Sequence, residues 1–324
     1  MGYTPASNTT NTASLAHLAT VYYKTRALDQ LKQMFMFLEG TEPDEMPLRS
    51  GRTVQWFRYT LFAANSTPSA EGTVGAGLPL TSTTISGEVS EYSDFITLSK
   101  LLQATAIDNI KGNAAEQLGY RGGLSVDTIT RIEFDANASS VQVATLGAAL
   151  GAVDIRRATT TLQASNVRPK TSDGSYIGII HPYALFDLKS DNTAGGFIDV
   201  MKYADPAGLK GPSMNGEVGS IESTRLLRST NVGTTGTAPT LKYYTYVIGK
   251  GAVGAVDLAG LGPAKVIDPD RQMFNVNVID GRPQIADPTG TIGAAVSYWF
   301  AFLAKTLDSV TFRYKIILSN SSII

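Results

Sequence analysis

The 324 residues carry 27 Lys and Arg against 28 Asp and Glu, a formal net charge of −1, with 43% hydrophobic residues and no cysteine. That balance suits a soluble chain of one elaborated domain or two, and it argues against electrostatic wrapping of nucleic acid, which needs a basic face. Without cysteine there are no disulfides, thiolate metal sites or Cys nucleophiles, and neither a bilayer-spanning apolar run nor an apolar signal core is present, so a cytoplasmic protein is expected.

Residues 1–13 read as a polar tail. A helix is predicted from Ser14 to Leu38, with Leu28, Leu31, Phe35 and Leu38 on one face. It stops at Gly40, and Pro43 and Pro47 keep the following connector extended. Next comes a long hairpin: an outbound strand Arg52 to Phe62, a tip Asn65 to Pro79 without core-forming residues, and a return strand Thr83 to Leu98. The tip is far longer than an ordinary hairpin loop, and an isolated ribbon is marginal in water. Trp56 and Phe57 point to opposite faces, so both faces want cover, which a neighbouring subunit would supply. Arg52, Val54, Trp56, Arg58, Tyr59, Glu88, Glu91 and Tyr92 are the candidate contact residues. Arg52 and Arg58 stand against Glu88, Glu91 and Asp94, across the ribbon or between chains. An unstructured loop, or a hairpin lying on its own domain, fits the spacing equally.

Beyond the hairpin, Ile107, Ile110, Ala114, Leu118, Val126, Ile129 and Glu133 keep one stripe, with Gly122 holding phase. The spacing predicts a single helix from Ile107 to Phe134, in spite of two central glycines that cost about 1 kcal/mol each. A strand (Val141 to Thr145) and a helix (Leu146 to Ala164) follow. The pattern then turns mixed: strand Ile177 to Ile180, helix Tyr183 to Lys189, helix Phe197 to Tyr203, and strands Val218 to Ser229 and Leu241 to Gly249. Strands at Lys265 to Ile267 and Met273 to Ile279 precede a closing pair, Gly293 to Leu307 and Val310 to Leu318, turned at Asp308-Ser309.

Few residues offer chemistry. Gly249, Gly251 and Gly254 spell GxGxxG after a strand, with Asp268 and Asp270 near the spacing of a ribose-binding acid. A dinucleotide site needs a helix after the glycines, and residues 257–263 break one, so a strand-to-loop turn is preferred over an NAD-type oxidoreductase. His17 and His181 are the only histidines, and His181 reads as structural. Asp187, Asp191 and Asn192 fit turn chemistry, and Arg156, Arg157, Arg225 and Arg228 fit solvated or interface charges. No catalytic, metal or cofactor residues are assigned, and no enzyme activity is expected.

Five segments in collinear order carry a resemblance: Leu38 to Pro43, Val89 to Ile96, Ile180 to Leu188, Gly216 to Arg225, and Asp287 to Gly293 leading to Trp299. The chain resembles the major capsid proteins of tailed bacteriophages, of the Hong Kong-type (Johnson) fold, and more narrowly the branch typified by the coliphage called N-four. The resemblance implies an α+β fold of five parts. These are an N-terminal arm (1–49), an E-loop hairpin (50–97), a P-domain with its spine helix (98–145), an A-domain (146–264), and closing strands returning to the P-domain (265–324). It further implies self-assembly of identical subunits, through hexamers and pentamers, into an icosahedral shell around packaged double-stranded DNA. Scaffolding, portal and decoration proteins would be further partners; no membrane or cofactor is implied. A decoration or fibre subunit is the alternative among structural proteins.

Overall fold

The computed structural model describes residues 36–47, 49–68, 71–72, 77–106, 109–137, 149–191, 217–237, 241–258, 277–280, 290–308 and 312–321. Its strands and helices, in chain order, start with β1 (Thr41–Met46), the ribbon strands β2 (Thr53–Tyr59) and β3 (Ser82–Glu88), and β4 (Ser90–Ser99). Then come α1 (Lys100–Thr105), α2 (Ile110–Asp135), α3 (Ala152–Ala164), β5 (Tyr176–Ile180) and α4 (Pro182–Ser190). The rest is β6 (Glu217–Ile221), β7 (Thr224–Arg228), β8 (Thr234–Thr235), β9 (Lys242–Ile248), β10 (Val253–Leu258), β11 (Asn277–Asp280), β12 (Ile292–Thr306) and β13 (Tyr314–Asn320).

The long helix forms as its stripe dictates. α2 runs 26 residues without a break, about 40 Å at 1.5 Å per residue, and Gly122 and Gly123 lie buried within it. The Asn109 side chain opens it by accepting from the Gly112 N–H at 3.2 Å. Ala114, Leu118, Val126 and Phe134 face inward, and the buried Thr130 hydroxyl donates to the Val126 carbonyl. α3 starts at Gly151, whose N–H donates to Asp154 Oδ2, and α4 starts at His181, whose Nδ1 accepts from the Tyr183 N–H ahead of Pro182 at the first turn.

Two sheets share one core. In the first, the 15-residue β12 is central: β4 pairs along one side, while β10 and β11 pair along the other, and β1 adds parallel to β10 at the edge. Pro43, which has no N–H to give a ladder, sits on that edge strand. The second sheet has the order β13-β9-β5-β7-β6, with β8 added to β9. Alternation along each strand assigns its faces. Ile177, Ile179, Leu227, Tyr246, Ile248, Tyr314 and Ile316 join a cluster with α2 and with Val296, Tyr298, Phe300 and Phe302 of β12. Tyr176, Ile180, Leu226, Val247 and Ile317 point the other way, onto α3 and α4 residues such as Ile155, Leu162 and Leu185. The opposite face of the first sheet carries a third cluster of Met46, Val89, Val256 and Ala301, against which Val54, Trp56, Trp299 and Leu303 pack.

A buried carboxylate holds the entering segment to the helix. Asp127 accepts from the Phe37 N–H at 2.9 Å and from Asn231 Nδ2 at 2.7 Å. Arg131 in turn donates to Asn231 Oδ1, and Tyr246 donates its hydroxyl to Asp135 while accepting from the Gly233 N–H. Phe37, Phe134, Tyr246 and Tyr314 stack edge-on and tilted around this point.

Several expectations are corrected. The return limb is two strands: β3 ends at Glu88, and β4 leaves the ribbon to pair antiparallel with β12. The strand expected at Val218 to Ser229 is a hairpin, β6 and β7, turned by Glu222 and Ser223 at φ +45° and +60°. The closing strands do not pair with each other, because β12 belongs to the first sheet and β13 to the second. Residues 37–40 form a 3-10 turn rather than the end of a helix. The helix predicted from Ser14 otherwise lies outside the described residues, as do Ile107, the strand at 141–145, the helix at 197–203, the strand at 265–267, and His17, Asn192, Asp268 and Asp270. The helix predicted from Leu146 starts only at Ala152: Ala149 makes a parallel bridge to Asn320 and Gly151 is extended, while 146–148 lie outside the described residues.

Candidate assembly surface

Among the described residues, the ribbon leaves several of its large apolar side chains uncovered on one face. β2 and β3 pair antiparallel from Thr53↔Glu88 to Tyr59↔Ser82, and Thr60 continues the ladder to Thr81. Burial alternates strictly: Val54, Trp56 and Arg58 are half-buried, while Thr53, Gln55, Phe57 and Tyr59 are exposed. On β3 the inward positions are Ile85 and Gly87, the partners of Trp56 and Val54. The inner face lies on the third cluster, so this part of the ribbon does rest on its own body. The outer face does not. Phe57 is 65% exposed, Tyr59 62% and Leu61 94%, and Phe62, Leu78 and Leu80 continue the apolar surface. An exposed run of large side chains of this kind makes this face the candidate contact surface.

The predicted contact residues divide between these faces. Arg52 reaches Glu88 at 3.9 Å and also donates to the Val89 carbonyl at 3.0 Å, as expected of a pair across the ribbon. Val54 and Trp56 face the body, and Arg58 pairs with Asp308 at 2.5 Å rather than with an acid of the return limb. Tyr59 is on the open face. Glu91 and Tyr92 are not on the ribbon. They belong to β4, where Glu91 accepts from the Trp299 indole N–H and Tyr92 stacks on Phe300 with ring centroids 5.3 Å apart. Asp94 pairs with Arg121 of α2 at 2.6 Å. Phe57, Leu61, Phe62, Leu78 and Leu80 were not among the predicted contacts. The signal for Phe57 is in the sequence: it shares the period-2 register of Tyr59, opposite to that of Val54 and Trp56.

The glycine motif is occupied by the chain itself. Gly249 to Gly254 turns β9 into β10, a strand where a dinucleotide site needs a helix. The Gly251 N–H, at φ +71°, donates to Glu42 Oε1 at 2.9 Å, and Lys170 Nζ lies 2.8 Å from the same oxygen. Burial raises the Glu42 pKa, but the Lys170 and Gly251 hydrogen bonds and the charges of Lys170 and Lys250 outweigh it and hold the group below its ordinary value. The donor that would face a phosphate thus holds β1 in place.

The remaining candidates are structural as well. His181 stacks on Tyr243 with centroids 4.3 Å apart, and burial pulls its pKa down to about 4, so it is neutral. Arg156 pairs with Glu222, Arg157 with Asp154, and Arg225 with Asp173 and Glu217. Asp187 is buried on α4, and Asp191 is its C-terminal cap residue. Among the described residues no three His, Asp or Glu side chains stand together as a metal site would require.

No family model and no curated protein matches the chain. Solved structures do match along its whole length. The capsid of the cyanophage P-SCSP1u superposes with a TM-score of 0.69 at 12% identity, covering 99% of this chain and 100% of its own. The capsid of Ralstonia phage GP4 gives 0.69 at 15%, over 94% and 96%, and the capsid asymmetric unit of cyanophage Pam1 gives 0.64 at 13%, over 98% and 99%. The chain has the α+β fold of these phage capsid structures.

Proposed function

We propose that the chain is the major capsid protein of a tailed double-stranded DNA bacteriophage, self-assembling through hexamers and pentamers into an icosahedral shell around the packaged genome. One observation carries this reading: the fold matches phage capsid structures over more than nine-tenths of this chain and of theirs. The ribbon supports it independently. Its outer face holds Phe57, Tyr59 and Leu61 in water, an arrangement that a neighbouring copy would relieve. Such contacts need not be strong singly, because each subunit of a shell touches several others and their effects multiply. Near-neutral charge also suits a wall past which DNA is moved without sticking.

In this reading the arm is 1–49, the E-loop 50–97, the P-domain 98–145 with α2 as spine, the A-domain 146–264, and the closing region 265–324. Of the closing strands, β12 lies beside the spine helix and β13 completes the second sheet. The collinear segments quoted above support the N-four-like branch. The protein acts structurally rather than as an enzyme and resides in the virion capsid after assembly in the host cytoplasm. Scaffolding, portal and decoration proteins are its further partners, and DNA lies on the inner face without sequence-specific contact. A decoration or fibre subunit would be compact and β-rich, and the 26-residue α2 stands against that.

The test is electron microscopy and size-exclusion of the expressed protein. Rings, sheets or closed shells are expected. A monomer under all conditions, with the ribbon resistant to protease, would sink the reading.

A further inference from the structure

The inner face of the ribbon ends on an ion pair unlike an ordinary surface one. Asp308, just past the end of β12, has a side chain only 3% exposed, and two arginines from different elements divide its oxygens. Arg58 of β2 lies 2.5 Å from Oδ1, and Arg313, just before β13, lies 3.4 Å from Oδ2. Exposed pairs contribute little, but a buried carboxylate depends on each cation that faces it, and removing Arg58 takes away the closer of the two arginines at Asp308. Two glycines lie close under the seam. A Cβ on Gly87 would stand 2.9 Å from Leu303 Cδ2, and one on Gly254 would stand 3.2 Å from Trp56 Cζ2 and 3.0 Å from Leu307 Cδ2. Val54 and Trp56 fill the seam between these points.

We propose that the root of the ribbon is latched to its own subunit, with Asp308 as the catch and Arg58 as the positioning residue. The direction in which the ribbon projects is therefore set before any second copy arrives. The latch is a property of the single chain; its consequence for shell closure rests on the capsid reading above.

Hydrogen exchange on the unassembled chain tests the latch without reference to a shell. Amides of 53–59 and 82–88 exchange slowly in the parent protein. In Arg58→Ala they speed up on the order of tenfold, while 176–180 and 242–248 keep their rates; Arg58→Lys, which returns the charge, restores part of the protection. Equal rates in the parent and Arg58→Ala, or faster exchange throughout the variant, would overturn the proposal. Electron microscopy then reads the consequence: open sheets or irregular particles from Arg58→Ala where the parent closes. A parent that never assembles would defeat the capsid reading and leave the exchange result standing.

Discussion

Asp127 is a carboxylate that folding makes harder to ionise. Burial raises its pKa to about 6, against the pull of the Asn231 amide, the Phe37 and Met36 N–H groups and the Arg131 charge. A folded pKa above the unfolded value means that the native state holds the proton more tightly. The stability this group contributes is thus complete below its ordinary value of 3.8 and lost as the pH rises through about 6. Between pH 5 and pH 7 the loss is about 1 kcal/mol. Glu42 runs the other way: its lowered pKa contributes stability above its ordinary range that is lost as the pH falls. A difference measurement therefore isolates Asp127. In urea titrations at pH 5 and pH 7, Asp127→Asn is less stable at both, because its amide accepts fewer of the converging N–H groups. Its pH 5 to pH 7 change differs from the parent's by the loss assigned to Asp127, the opposite contribution of the lowered His181 pKa being common to both. An unchanged pH dependence would show that the carboxylate is not what titrates. Gly249 gives a second prediction at this scale. A Cβ there would lie 2.4 Å from Val167 Cγ1 and 3.1 Å and 3.2 Å from the carbonyls of Arg313 and Arg168. Backbone oxygens cannot step aside, so Gly249→Ala destabilises by about 1–3 kcal/mol, read as a shift of the denaturation midpoint at constant slope.

At the scale of the element, the two faces of β2 separate stability from assembly. Trp56 packs on the first sheet and Phe57 does not, although they are adjacent in sequence. Trp56→Ala removes half-buried apolar area and costs the subunit about 1–2 kcal/mol. Phe57→Ser leaves subunit stability within about 0.5 kcal/mol and lowers the yield of assembled particles. Denaturation and particle counts on the same two variants check both statements, and equal stability loss in the two would contradict the assigned faces. The sequence allowed much of this element to be read, and its limit has a physical cause. Alternation of Trp56 and Phe57 announces two faces, but which of them meets the body depends on β10 and β12, some 200 residues away. The same non-local pairing hid the break at Val89, where the chain runs on extended from β3 into β4 while the partner changes from β2 to β12. Glu91 and Tyr92 accordingly belong to β4 and not to the ribbon. α2 was legible because a helix satisfies its own hydrogen bonds and its stripe is local. The β6–β7 turn was not, since Glu222 and Ser223 occupy left-handed positions where Asn and Gly are usual.

For the whole molecule, the arrangement of clusters decides how it unfolds. The second sheet is buried on both faces, and the face toward α2 belongs to the same cluster as the helix side of the first sheet. Neither sheet can open without exposing the other's interior. Phe134, fully buried near the end of α2, lies where they meet: its ring contacts Phe37 ahead of β1, Tyr246 of β9 and Tyr314 of β13, and its carbonyl accepts from the Tyr314 hydroxyl at 3.2 Å. Phe134→Ala therefore costs about 3–5 kcal/mol and lowers both sheets together. Leu162, on α3 behind the second sheet, belongs to the outer cluster, so Leu162→Ala costs about 2–5 kcal/mol without entering the shared core. The measurement is hydrogen exchange against denaturant, following 294–302 for the first sheet and 176–180 for the second. In the parent and in Phe134→Ala the two segments lose protection in one coincident transition, moved to lower denaturant in the variant. Two separated transitions in the parent would mean that the sheets are independent units and that the shared cluster does not couple them. A single transition is also what the proposed role requires, because a subunit pressed by neighbours on several sides transmits load only if its layers yield together.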